Sequence, residues 1–129
     1  MSDFRTDIQV RFADTDALGH LNNTAYALYV EQARLEFFRQ FGATTRGLIL
    51  AQLALDFRRQ ARFGDEVHVL TRVGKVGRTS VQLVQDVYAE GELAAETRSV
   101  VVVFDYQTNK PAPIGDETRC RLEAYLIPA

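Results

Sequence analysis

A chain of 129 residues, 47% apolar and 25% charged, fits one domain spanning 1–129. A domain near this size buries roughly 68% of the surface its unfolded chain exposes, enough for a core without staples. The formal net charge of −2 excludes the basic signature of a phosphate-backbone binder, so no nucleic-acid partner is expected. The one cysteine, Cys120, excludes an intrachain disulfide framework and a Cys-rich zinc site; it reads as a buried or inert thiol in a reducing cytoplasm.

The stretch MSDFRTDIQV mixes charges and has no apolar run of signal-peptide length, which fits a cytoplasmic protein. From Thr6 to Phe12 the sequence alternates, with Ile8, Val10 and Phe12 on one face and Asp7, Gln9 and Arg11 on the other, the period of a half-buried strand. From Asn23 to Phe41 the period changes. Tyr26, Val30, Ala33, Phe37 and Phe41 recur at spacings of four and three, with Gln32, Glu36, Arg39 and Gln40 opposite, which predicts one long helix. Asn22 or Asn23 caps its start and Gly42 its end. Glu31 and Arg34, three apart on it, predict an ion pair of ~0.2–0.5 kcal/mol.

Beyond the helix, Gly47–Phe57, Asp65–Val76, Thr79–Ala89 and Leu93–Tyr106 are rich in Val, Leu, Thr and aromatics and predict four strands in a meander. The breaks at Phe63-Gly64-Asp65, Gly74 to Gly77 and Glu90-Gly91-Glu92 are short and carry glycine, as hairpin connections do. Connections this short exclude parallel pairing. A segment around Asp116 to Tyr125 predicts a short terminal helix. The fold class is therefore α+β, a five-stranded antiparallel sheet wrapped around one long helix. The longest strongly apolar run, Gly47 to Leu55, is far short of the ~20 residues of a spanning helix, so no membrane segment is expected. His68 sits alone in its strand, and no metal or other cofactor is expected.

Between the first strand and the helix lies FADTDALGHLNNTAY, Phe12 to Tyr26. Asp, Gly and Asn are turn residues, so an ordinary loop is the first explanation. A calcium loop opening at Asp14 fails, because its fifth and twelfth positions would be Leu18 and Ala25 where oxygen ligands are required. FADTDAL also looks like the strand-end DxD of aspartate-nucleophile phosphatases, with Ala17 where Thr is expected. That enzyme alternative stays open at this point.

The stretch Val10 to Arg34, VRFADTDALGHLNNTAYALYVEQAR, resembles the hotdog-fold acyl-CoA thioesterases of the 4-hydroxybenzoyl-CoA thioesterase class: a strand ending in DxDxxGHxNNxxY, then a helix carrying ExAR. The matching residues are Asp14, Asp16, Gly19, His20, Asn22, Asn23, Tyr26, Glu31, Ala33 and Arg34. The resemblance implies hydrolysis of an acyl-CoA to a free acid and CoA by a homodimer, assembling further into a homotetramer. A non-hydrolysing acyl-thioester binder on the same fold is the alternative.

By the same resemblance Asp16 matches the catalytic carboxylate, as nucleophile or general base, and a peptide N–H near Asn23 matches the oxyanion donor. Gly19 would let backbone approach the thioester. His20 either positions the carboxylate or water, or fixes the loop; Asp14 reads as a partner of loop backbone. Asn22 lies beside the substrate as a cap, and Tyr26 packs beneath it. The resemblance also extends to a substrate whose CoA phosphates need cations. Arg58 and Arg62, with Arg59 between them, and the run Arg78-Thr79-Ser80 are the candidates, since arginine clamps phosphate bidentately. GKVGRTS is not a P-loop, since it lacks the Gly-Lys-Ser/Thr ending and precedes a strand. Class members acting on aromatic acyl groups have bulky aromatics before the helix, whereas this chain has Leu21, Asn22 and Asn23, which points toward aliphatic acyl groups.

Overall fold

The long apolar stripe folds as helix α1, Asn23–Arg39, in a computed structural model that describes residues 2–41 and 47–128. Tyr26, Val30, Ala33 and Phe37 are all buried, as their spacing predicts. Asn22 is the cap, with its Oδ1 accepting from Thr24 N–H at 3.1 Å, so Asn23 is the first helical residue. Gly42, the expected terminator, lies outside the described residues.

The strands are β1 (Phe4–Ile8), β2 (Leu48–Phe57), β3 (Val67–Val76), β4 (Ser80–Ala89), β5 (Glu92–Asp105) and a two-residue β6 (Lys110–Pro111). They form one antiparallel sheet in the order β1-β3-β4-β5-β2, with β6 pairing onto the distal end of β5. The count is thus six and not five. Five strands carry the main path, and β6 is added where Phe104 and Asp105 pair with Pro111 and Lys110. The architecture is α+β, completed by α2, Asp116–Glu123.

Two expectations change. The first strand ends at Ile8, because the Asp14 carboxylate takes both the backbone N–H and the guanidinium of Arg11 and folds Phe12–Asp14 into one 3₁₀ turn. Phe12 is swung into solvent at 76% exposure. Second, only β3, β4 and β5 form the meander. β2 pairs with β5, from Leu48 opposite Val103 to Phe57 opposite Ala95, so the segment 58–66 carries the chain past β5 and β4 to reach β3. It crosses over the start of α1, where Leu21 N–H donates to Ala61 C=O at 2.8 Å and Phe63 N–H to Gly19 C=O at 3.2 Å. The glycine at Phe63-Gly64-Asp65 turns this crossing segment rather than a hairpin.

α1 packs chiefly against β1, β3 and β4. One core cluster joins the N-terminal half of α1, through Ala25, Tyr26, Tyr29, Val30 and Ala33, to Ile8, Ala61, Val67, Val69 and Val87. The second joins Phe37 and Phe38 to Val73, Val81, Leu83 and Val101, closed from outside by Ile114 and by Leu122 of α2. Between them Gln85, fully buried, donates from Nε2 to Val30 C=O and to Thr71 Oγ1, both at 3.1 Å. Cys120 is exposed on α2 and not buried, because the buried contact of that short helix is made by Leu122.

Candidate active site

The loop between the 3₁₀ turn and α1 is closed on itself by backbone. Thr15 and Leu21 form an antiparallel bridge, Asp16 N–H donates to His20 C=O at 2.7 Å, and Gly19 N–H donates to Asp16 C=O at 3.2 Å. Gly19 turns the loop at φ +80°, where an L side chain is strained. A Cβ there would meet no protein atom within 4 Å, so the glycine is required by the turn and leaves open space above it.

Asp14 and Asp16 are used in different ways. Asp14 is buried, and its carboxylate accepts from Arg11 N–H at 2.9 Å, Arg11 Nη2 at 2.9 Å and Tyr29 Oη–H at 2.8 Å. Burial alone would push its pKa up, but the Arg11 and Tyr29 hydrogen bonds outweigh this and hold it below the usual carboxylate value. Tyr29 is raised, first by burial and then by donating to the Asp14 anion. Asp14 C=O also receives Asn22 N–H at 2.8 Å, so this aspartate anchors the cap of α1.

Asp16 is exposed. Its Oδ1 accepts from Leu18 N–H at 2.8 Å and His20 N–H at 3.1 Å, which fixes the carboxylate's direction. Its Oδ2 accepts no hydrogen bond among the described residues, and Asp16 lines a cleft of ≈ 550 Å³. That cleft is lined by Asp16, His20, Leu21, Asn22, Asn23, Tyr26, Phe57, Arg58, Arg59 and Gln60. The N–H groups of Thr24 and Ala25 are taken by Asn22, while the N–H of Asn23 has no acceptor among the described residues. It stands at the positive end of a 17-residue helix, where orphan amides and the macrodipole favour an anion.

The structure thus brings Asp16, His20, Asn22, Asn23, Tyr26 and Arg58 to one cleft, with Gly19 turning its loop. Tyr26 is 2% exposed and lies beneath it, with its Oη accepting from Ala61 N–H at 3.2 Å and its ring edge-on to Phe57 at 5.4 Å. Burial, the largest influence, raises the Tyr26 hydroxyl pKa. Tyr26→Phe strands the Ala61 N–H in a buried stretch and is expected to cost about 1–2 kcal/mol in urea unfolding at unchanged m. A cost below about 0.3 kcal/mol would show that this bond does not hold the crossing segment.

Arg58 and Arg59 are tied to β5 by bridges to Glu96 at 2.8 Å and Glu92 at 2.9 Å. Hydrogen bonding to Glu96 raises the Arg58 pKa. Arg62 is exposed on the crossing segment, its backbone paired with His20 in an isolated bridge and its N–H given to Asp65 at 2.9 Å. Arg78, Thr79 and Ser80 are elsewhere: they open β4 at the end that pairs with Val102, beside Ile114. Val87, which lies level with Phe57 and the cleft, is seven residue steps along β4 from Ser80, or ~23 Å. Glu31 and Arg34 make no ion pair with each other, contrary to their spacing. Glu31 is exposed while Arg34 is buried, which leaves the two without a direct ion pair.

Sequence reasoning did not single out Phe57 or Gln60 as cleft residues. Both sit where β2 leaves the sheet, and only the crossing of 58–66 over α1 brings them to Asp16. Every strand pairing is antiparallel, so the aspartyl-phosphate alternative, which needs strands alternating with helices, is withdrawn. Among the described residues no three His, Cys, Asp or Glu side chains converge as a metal site, and no helix is long and apolar enough to cross a membrane.

Residues 10–122 match the family model of the thioesterase-like superfamily. The acyl-CoA thioester hydrolase YbgC of Escherichia coli O6:H1 is 28% identical over 116 residues, covering 84% of this chain and 87% of that protein. A predicted thioesterase from Bacillus stearothermophilus superposes with a TM-score of 0.91 at 30% identity, covering 99% of both chains. A thioesterase complexed with coenzyme A and Zn from Thermus thermophilus superposes at 0.86 with 33% identity, over 97% of this chain and 96% of that one. With its antiparallel sheet, its long helix and a cleft lined by both Asp16 and the first residues of that helix, this chain belongs to the thioesterase-like superfamily as a hotdog-fold thioester hydrolase.

Proposed function

We propose that the chain hydrolyses acyl-CoA thioesters, with Asp16 as the reacting carboxylate and the N–H of Asn23 as the oxyanion donor. The observation that carries this reading is the shared cleft. It is lined by Asp16, whose carboxylate is oriented through Oδ1 and takes no hydrogen bond at Oδ2 among the described residues, and by Asn23 at the N-terminus of α1, whose N–H is unpaired among them. A thioester carbonyl between them has its developing negative charge facing a pre-oriented donor, where such stabilisation is most effective. The leaving thiolate has a conjugate acid of pKa ~8.5 and needs no dedicated proton donor. Asp16 either attacks the carbonyl and forms an anhydride that water opens, or takes the proton of an attacking water. His20, whose backbone N–H holds the Asp16 turn, lines the same cleft and in this reading positions that water.

Arg58 at the cleft and Arg62 on the crossing segment supply cations for the phosphates of CoA. Arg78, Thr79 and Ser80 have no part in the cleft of their own protomer. The YbgC name and the coenzyme A in the Thermus relative support CoA as the carrier. Leu21, Asn22 and Asn23 at the cleft, in place of bulky aromatics, favour aliphatic acyl groups. The setting we propose is the cytoplasm. Release of free CoA from an acyl-CoA panel, followed with a thiol reagent, is expected to show turnover of aliphatic members above benzoyl-CoA. Saturable binding with no turnover of any member would sink the assignment.

We propose further a homodimer built on β2, with pairing into a homotetramer resting on the resemblance alone. In support, β2 is an edge strand whose outer backbone groups are unpaired in the protomer. Its concave face presents Leu50, Leu53, Leu55 and Phe57, of which Leu50 is 42% and Phe57 45% exposed. Phe57 also lines the cleft, so a second copy seated there would close its open side.

A further inference from the structure

Arg34 is 6% exposed, and its Nη1 is enclosed with no acceptor. Its guanidinium has neither a hydrogen bond nor a carboxylate partner among the described residues. Three residues earlier Glu31 is exposed; its charge partly offsets the burial of Arg34, but among the described residues no hydrogen bond or ion pair joins the two. A buried cation is ordinarily matched by a hydrogen-bonded anion, and the described residues of the protomer supply none.

The wheel of α1 shows where these two residues look. Tyr29 reaches the β1 side through Asp14, and Val30 lies over β4 through Gln85. The sheet order then runs on to β5 and β2. At ~100° per residue, Arg34 stands ~40° beyond Val30 and Glu31 ~100° beyond it, so both look toward β5 and β2. That is the flank where the apolar face of β2 is left uncovered. Asn23 lies on the same flank within ~20° of Arg34, three turns or ~16 Å along the axis, so the flank runs on to the cleft.

We infer that a second copy of the chain covers this flank, and that Glu31 of each protomer accepts hydrogen bonds from the partner subunit's Arg34. This rests on the β2 dimer proposed above. An acid and a base side by side on one surface are self-complementary, which a two-fold interface requires: i meets j as j meets i. The guanidinium fork has five donors, so enclosure of Nη1 leaves others for a carboxylate.

The test uses charge reversal and mixing. Wild type is expected to scatter light at twice the chain mass at micromolar concentration. Glu31→Arg, a substitution at an exposed site, sets two like charges against each other in a homodimer and is expected to weaken it about tenfold or more with unchanged circular dichroism. Arg34→Glu is expected to weaken its homodimer likewise. Mixed, these two proteins are expected to form a heterodimer tighter than either homodimer, since one chain carries both bases and the other both acids. If Arg34→Glu does not fold, Arg34→Met replaces it, and Glu31→Arg must then cost that dimer less than it costs wild type. A Glu31→Arg homodimer as tight as wild type would overturn the pairing and leave the β2 dimer standing, with Arg34 satisfied by water or a ligand anion. So would a mixture with no heterodimer preference, or an unchanged cost on Arg34→Met. A monomeric wild type would overturn the dimer itself, and the pairing with it.

Discussion

Asp16→Asn is expected to lower kcat for acyl-CoA hydrolysis by about two to four decades, the range typical of losing a general base. The substitution keeps the side-chain volume, and an amide oxygen can still accept from Leu18 and His20 N–H, so the loop and the cap of α1 should survive. What disappears is the negative charge at the open Oδ2. Melting temperature and affinity for a non-hydrolysable acyl-CoA analogue should stay near wild type, so the loss should fall on kcat and not on KM. A single turnover of wild type in ¹⁸O-water tests the anhydride route: label entering the carboxylate of Asp16 marks an anhydride opened at its aspartyl carbon, whereas label only in the released acid is what both direct attack by water and opening at the acyl carbon give. A folded Asp16→Asn protein that hydrolyses within a few-fold of wild type would reduce Asp16 to a turn residue.

The helix was legible because Tyr26, Val30, Ala33 and Phe37 keep one 3.6-residue face, and that face is buried. The hairpin at Glu90-Gly91 was legible for a related reason. A two-residue connection of type I′ has positive φ at both positions, and the chain has φ 51° and 78° there. The destination of β2 was not legible. A glycine-bearing break reads the same whether it returns to the neighbouring strand or crosses the sheet, and only the pairing of β2 with β5 decides. The scatter of the arginines has a separate cause. Arg58 and Arg78 both flank breaks between strands, yet strand direction puts them at opposite ends of the sheet. Burial of Arg34 was likewise hidden, since a hydrophobic pattern assigns arginine to the polar face. Within the loop, the pattern marked Asp14 as a partner of loop backbone, but it also accepts from Tyr29, fifteen residues away on α1. That pairing appears only once helix and 3₁₀ turn are docked.

Asp14→Ala is therefore expected to cost the fold on the order of 3 kcal/mol, because it strands the N–H of Arg11 and the buried hydroxyl of Tyr29 together. Asp14→Asn should cost less, since an amide oxygen still accepts from one of them. The two substitutions also make a pH prediction. The folded carboxyl is held below its ordinary 3.8, so its contribution is fully present above that value and is lost as pH falls through the lower folded one. The stability gap between wild type and Asp14→Asn should thus be flat from about pH 5 to 8 and shrink below about pH 4. Tyr29 works in the opposite sense: its raised pKa means that its contribution is present below pH 10 and fades only at stronger alkali. Urea unfolding across this range checks both limbs. Because Asp14 holds the cap of α1 through Asn22, residual activity of the folded Asp14→Asn protein should fall far less than that of Asp16→Asn. A gap that widens as pH drops below 4, or an Asp14→Ala protein within about 0.5 kcal/mol of wild type, would show that the Asp14 carboxylate does not anchor the loop.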